Sequence, residues 1–211
     1  MALVKKILPW LIMALCVAGI VYCVHLASTQ SVELVPPEVR LSNTAGGVVV
    51  AWDGVEGANQ YRVTRKASDG EWELLFYTTE TRYVDKDTES GKTYAYKVYP
   101  CVNNYKGEAN KAVKILRLSR PKIRKIAYEE GAVTLEWAEV AGAKVYAVFR
   151  STDGESFKRI PVDVKGTRYT DADVIPGQKY YYKIKAVSSG KKYSSAASEV
   201  VNVECTEATG G

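Results

Sequence analysis

The sequence predicts an all-β fold: two tandem antiparallel β-sandwiches behind one N-terminal apolar helix. Three observations predict it. The chain repeats itself at a shift of about 85 residues, apolar residues within each copy alternate with a period of two, and turn-forming residues punctuate the alternating runs. The aromatic class points the same way. It holds 15 Tyr against 3 Phe, a bias that suits half-buried sheet surface. At 46% hydrophobic and 25% charged, the 211-residue chain is neither disordered nor collagen-like.

The first element occupies residues 1–31. Lys5 and Lys6 precede an uncharged run from Ile7 to Ala27. As a helix this run extends about 31 Å at ~1.5 Å per residue, close to the thickness of a bilayer core. Pro9 falls in the first turn, where its missing N–H costs little. The alternative is a cleaved signal peptide, whose apolar core is usually shorter, about 7–15 residues. A cut after Ala27 leaves His25 where a small residue is wanted; a cut after Ser31 leaves Thr29 there. The expectation is an uncleaved anchor that crosses the membrane through residues 7–27. Lys5 and Lys6 then stay inside, and the remaining chain stands outside a cell membrane in single-pass topology. Secretion after cleavage places the same bulk outside.

The remainder is one unit written twice. Trp52 meets Trp137, Gly57-Ala58 meets Gly142-Ala143, Tyr61 meets Tyr146, and Arg65 meets Arg150. Farther on, Tyr83 and Asp85 meet Tyr169 and Asp171, and Tyr94 and Tyr96 meet Tyr180 and Tyr182. The expected units are residues 36–118 and 119–206, each large enough to fold around its own core, followed by a polar tail at 207–211. Within a unit, GVVVAW (47–52) and AVTLEW (132–137) alternate, with Val48, Val50 and Trp52 on one face. Tyr61, Val63 and Arg65 alternate likewise, as do Tyr94, Tyr96 and Val98. Turn signals separate the runs: Ser68-Asp69-Gly70, Glu89-Ser90-Gly91, Asp153-Gly154 and Pro176-Gly177. Short strands at this spacing indicate a sandwich.

These residues carry a resemblance. Both units resemble fibronectin type III domains of the kind found in tandem in bacterial envelope and secreted proteins. Trp52 and Trp137 match the family's core Trp on the second strand, and Tyr61 and Tyr146 match the aromatic of the third. Ile175-Pro176-Gly177-Gln178-Lys179-Tyr180 matches the motif at the corner between the fifth and sixth strands. The resemblance implies that Tyr180, and Tyr94 in the first unit, are tyrosine-corner residues whose hydroxyls bond back to main chain. The first unit departs from the motif: Thr88-Glu89-Ser90-Gly91 lacks the Pro. The resemblance covers most of the chain and speaks to fold more than to function.

Candidate chemistry is sparse. The single histidine, His25, lies in the apolar run, so no His-based acid–base or nucleophilic scheme is available to the exported part. No catalytic residue, metal ligand or cofactor site is assigned. Asp85-x-Asp87 and Asp171-x-Asp173 recur at equal places, but no third acid recurs beside them, and they read as a polar loop with turn-capping side chains rather than a Ca²⁺ site. Cys101 and Cys205 fall in different units, too far apart to bridge.

Two groups remain as candidates for binding. Lys111 to Lys125 holds seven bases and no acid. Its Lys114, Arg117, Arg120, Lys122, Arg124 and Lys125 form a possible anion or partner patch around the joint, weighed against a solvent-facing, edge-protecting role. The joint should stand beyond the ~8 Å Debye length from lipid headgroups, so the membrane is not its partner. Tyr77, Tyr99 and Tyr105 occur in the first copy alone and are possible aromatic contacts, weighed against packing within the sandwich.

The function expected is that of a spacer or of a protein-interaction and adhesion module. The alternatives are a carbohydrate or anionic wall-polymer binder using the basic joint with Tyr99 and Tyr105, and an accessory subunit of a membrane complex. With Lys5 and Lys6 set aside the charge is only about +3, which does not call for nucleic acid.

Overall fold

The computed structural model describes residues 33–206. The expected membrane segment and the tail at 207–211 lie outside the described residues. Among the described residues no helix is long and apolar enough to cross a membrane. Their regular structure is β-strand, apart from a short 3₁₀ turn at Ser189–Lys191.

The first half contributes β1 (Val39–Thr44), β2 (Gly47–Trp52), β3 (Gln60–Ala67), β4 (Glu73–Thr78), β5 (Arg82–Asp85), β6 (Thr93–Val102), β7 (Tyr105–Lys106) and β8 (Val113–Leu116). One sheet has the order β1-β2-β5; the other has the order β4-β3-β6, with β7 and β8 both pairing β6. The second half contributes β9 (Ile123–Glu129), β10 (Ala132–Trp137), β11 (Val145–Ser151), β12 (Lys158–Val164), β13 (Arg168–Asp171), β14 (Lys179–Val187) and β15 (Val201–Glu204). It repeats the plan as β9-β10-β13 and β12-β11-β14-β15. All strand pairs are antiparallel.

Alternation builds each core. Val48, Val50 and Trp52 are buried from β2, Tyr61 and Val63 from β3, and Tyr94, Tyr96 and Val98 from β6. Val133, Leu135, Trp137, Tyr146, Val148, Tyr180, Tyr182 and Ile184 fill the second core. The Trp52 ring meets Tyr61 edge-on at 5.4 Å between centroids, and Trp137 meets Tyr146 at 5.3 Å. The buried tyrosines also place their polar ends. Tyr61 Oη accepts the Val55 N–H at 2.8 Å, and Tyr146 Oη accepts the Val140 N–H at the same distance, closing the loop between second and third strand. Tyr94 Oη accepts the Glu89 N–H at 2.9 Å and Tyr180 Oη the Ile175 N–H at 3.1 Å, the main-chain bonds that a tyrosine corner makes. The first unit makes this corner without the Pro.

The same alternation carries charge inward. Asp85 lies two residues after Tyr83, Arg65 two after Val63, and Tyr96 two before Val98, so all three point between the sheets. Arg65 Nη1 donates to both Asp85 oxygens at 2.8 Å, and Tyr96 Oη donates to Asp85 Oδ2 at 2.7 Å. Asp85 is completely buried. The second half repeats this with Arg150, Asp171 and Tyr182, at 2.9–3.1 Å for the guanidinium and 2.9 Å for the phenol. Each carboxylate comes from the three-stranded sheet and both its partners from the larger sheet opposite, so the triad ties the two layers.

The cores extend past the expected bounds at two places. Leu34, ahead of residue 36, packs in the first core, and Leu118, placed last in the first unit, packs in the second. The connector between β8 and β9 is held along most of its length. The Gly91 N–H donates to Arg117 O at 2.8 Å, and the Leu118 N–H to Asn43 Oδ1 at 3.2 Å. The Ser119 N–H donates to Ser90 Oγ at 3.0 Å, and Pro121 is buried. Bonds also cross it. Asn43 Nδ2 donates to Ser194 O at 3.2 Å, Ser90 Oγ donates to Ala141 O at 3.1 Å, and Tyr193 Oη donates to Lys114 O at 3.1 Å. Gly142, at φ +84°, sits where a Cβ would lie 3.0 Å from Gly91 Cα, so two glycines permit the close approach.

Two predictions follow from the cores. Trp137→Ala should cost about 3–5 kcal/mol and Asp85→Asn about 1–3 kcal/mol, the latter because Arg65 keeps only the exposed Glu73 carboxylate, at 2.7 Å, as its counter-charge and the buried bonds to Asp85 are weakened. Denaturant titration of the full chain measures both, and an unchanged midpoint for Asp85→Asn would deny the triad a structural role. The second concerns alkali. Burial first, and then the adjoining carboxylates, push the Tyr96 and Tyr182 phenols far above the ordinary value of about 10. The unfolded chain releases these protons near pH ~10 while the folded chain keeps them, so their contribution is complete below that pH and lost as pH rises beyond it. Urea midpoints should hold from neutrality to about pH 9 and then fall, less steeply in Tyr182→Phe.

Candidate functional site

The basic run around the joint is only partly available. Arg117 is 5% exposed, and its Nη1 donates to Leu118 O at 2.8 Å and Thr44 O at 3.1 Å. Burial lowers its pKa from the ordinary arginine value. Arg117 thus braces the joint instead of facing a ligand, because the chain leaving β8 carries it under the end of β1. Arg120 pairs with Glu199, and Lys125 reaches Glu129 at 4.0 Å. Lys114, Lys122, Arg124 and Lys125 are exposed. Arg124 and Lys125 both face outward, although adjacent, because the pairing of β9 with β10 shifts between Glu136 and Trp137.

The repeated carboxylates are committed to structure. Asp85 Oδ1 and Asp171 Oδ1 each accept the N–H two residues on, at 3.2 Å, as turn-capping side chains do. Their other bonds go to the triads. A groove of ≈ 470 Å³ opens beside the second triad, lined by Arg150, Asp153, Lys158, Arg159 and Tyr169 among others. Asp153 is held well below the usual carboxylate range by the Ser151 hydroxyl and the N–H groups of Ser156 and Glu155. Cys101 and Cys205 are free and buried, and burial raises both thiols.

The aromatics occupy a different place from the basic joint. β6 begins beside the joint, where Thr93 faces Leu116, but Tyr99 lies six residues farther along, about 20 Å away at ~3.3 Å per residue. The expected combination of the joint with Tyr99 and Tyr105 is therefore not assembled. The aromatics gather instead on the outer face of the sheet β4-β3-β6. Arg62 on β3 is opposed by Tyr77 on one side and Tyr99 on the other, which makes a single cross-strand row. The Arg62 guanidinium lies 5.5 Å from the Tyr99 ring centre, and Lys106 Nζ approaches the same ring at 4.9 Å. Tyr77 is 52% exposed and Tyr105 58%. With Gln60, Cys101, Asn103, Asn104 and Lys106 they line a shallow groove of ≈ 420 Å³ at the end of the sheet. The two-residue turn Asn103-Asn104, with Asn103 at φ 51°, folds β7 back and sets Tyr105 and Lys106 beside it.

Residue-by-residue reading found Tyr77, Tyr99 and Tyr105 but missed Arg62, Lys106 and the two asparagines. Arg62 has the strand period as its signal, since it must face away from Tyr61 and Val63. What it faces is set by the register of two other strands.

Comparison with known proteins bears on the fold. No protein-family model matches the chain. A stretch of 58 residues, 27% of the chain, is 40% identical to an amylopullulanase of Thermoanaerobacterium saccharolyticum, and 71 residues are 37% identical to an amylopullulanase of Thermoanaerobacter thermohydrosulfuricus. The chain spans only 4–5% of the length of these relatives. Among solved structures, a two-domain fibronectin type III segment of chicken tenascin aligns with 80% of this chain and 98% of its own, at 17% identity and a TM-score of 0.39. The FN1–FN3 domains of chicken CNTN1 align with 83% of this chain and 68% of theirs, at 14% identity and a TM-score of 0.44. The structural neighbours of this all-β chain include tandem fibronectin type III segments.

Proposed function

We propose that this chain is an exported, non-catalytic two-sandwich module, held at a cell membrane by residues 7–27, that serves as a stiff spacer and presents a binding surface on its first sandwich. The braced joint carries the reading. A connector whose N–H groups are bonded at Lys92, Asn43 and Ser90, and whose Arg117 side chain is buried, has little freedom to hinge. Stiffness between units is what a spacer needs and what a flexibly tethered pair lacks. The position of Lys5 and Lys6 before the apolar run supports the outward orientation. Sandwiches of this kind serve as interaction modules, and the short matches to amylopullulanases favour a glycan-related setting.

Small-angle scattering of the full chain in detergent tests the spacer. An extended, single-conformer envelope is expected, and Asn43→Ala with Ser90→Ala should broaden the distance distribution by releasing the bonds across the joint. A compact wild-type envelope would refute the reading. The anchor is checked separately: membrane-fraction protein should carry an intact N-terminus and resist carbonate extraction, whereas a soluble form beginning near Ser28 or Val32 would replace the anchor with a cleaved signal.

A further inference from the structure

We infer that the outer face of β4-β3-β6, with the groove at its end, binds an acidic oligosaccharide, one that carries carboxylates on a chain of sugar rings. The inference rests on the reading of the chain as an interaction module and names its ligand class.

The repeat supplies an internal control. The row Tyr77–Arg62–Tyr99 has a counterpart at the same register in the second half, Asp163–Ala147–Lys185. The same three strands pair around each row, so folding does not require two tyrosines flanking an arginine. In the second half Asp163 is taken up by Lys191 at 2.7 Å and by Arg159. In the first half the cations meet aromatic rings instead, Arg62 and Lys106 against Tyr99 and Lys97 against Trp72. Arg62, Lys97 and Lys106 form no ion pair with any described residue, and Arg62 Nε is buried with no hydrogen-bond partner. The covered Nε cannot reach a ligand, so the guanidinium meets a carboxylate through its two outer Nη groups.

The spacing favours a sugar chain over an acidic peptide. Tyr77 and Tyr99 stand two strand spacings apart, about 10 Å, on a sheet face, which is about the reach of a disaccharide. Tyrosine presents a flat apolar ring with a polar tip, the form that suits the mixed faces of a sugar. The groove adds the amides of Gln60, Asn103 and Asn104, whose side chains make no hydrogen bond to another described residue and can each donate and accept with hydroxyls. It offers no aliphatic pocket of the kind that anchors a peptide side chain, since its large apolar groups are tyrosines.

Calorimetry on the full chain in detergent tests this, with a defined oligogalacturonate as probe, a malto-oligosaccharide as the neutral control and poly-glutamate as the acidic peptide. Saturable binding of the oligogalacturonate is expected, weakening with salt. Tyr77→Ala, at an exposed position that spares folding, should weaken it about fivefold, the loss of one aromatic contact. Arg62→Gln should remove the preference for the acidic over the neutral sugar, and Lys185→Gln in the second half should change nothing. Absence of oligogalacturonate binding, or binding indifferent to Tyr77→Ala and Arg62→Gln together, overturns the inference. Equal binding of poly-glutamate through the same two residues overturns it in favour of an acidic peptide. A chain that scatters as an extended rod yet binds no oligogalacturonate loses this inference alone and keeps the spacer reading.

Discussion

Everything else in each sandwich depends on a carboxylate buried between its two sheets. Asp85 and Asp171 end the fifth strand of their units, and each is held by an arginine from the third strand and a tyrosine from the sixth. Dispersion and burial hold two sheets together without fixing their relative position. A charged group left alone at that depth would be far too costly, so the sheets must sit where the arginine and the phenol can reach it. The triad therefore acts as a registration pin. Its two copies, unlike the loops, share residue types throughout.

The joint follows a related logic with weaker forces. Arg117 has no carboxylate among its hydrogen-bond partners and is met by carbonyl oxygens and an amide instead. Asn43 then serves both sides: its oxygen accepts from Leu118, and its nitrogen donates across to Ser194. A short connector with buried Pro121 and Leu118 leaves the two units few ways to move apart. Tyr193, from the second half, packs against both cores and so adds apolar contact to the polar bonds.

Duplication frees one copy to carry function. Where both copies hold the same residue, folding accounts for it. Where the copies differ at one register position within the same three strands, folding accounts for neither residue. The row through Arg62 is such a place, and it lies at the end of the first unit away from the joint, where a binding face is least obstructed by the second unit.

Fold class, duplication and the identity of the core were legible in the residues alone. Period-two alternation decides which side chains face inward whatever their partners, and a repeated Trp and Tyr make the same contact twice. The sequence also marked Tyr77, Tyr99 and Tyr105 as unshared, and it marked a basic run. It did not reveal that Arg117 turns under the joint, that Asp85 and Asp171 are buried between the sheets against an arginine and a tyrosine, or that Tyr77 and Tyr99 flank Arg62. These are consequences of strand order and register, which place residues 11–73 positions apart side by side. They emerge from the assembled sheets, because a side chain's periodicity states which face it takes, while its neighbours on that face come from other strands.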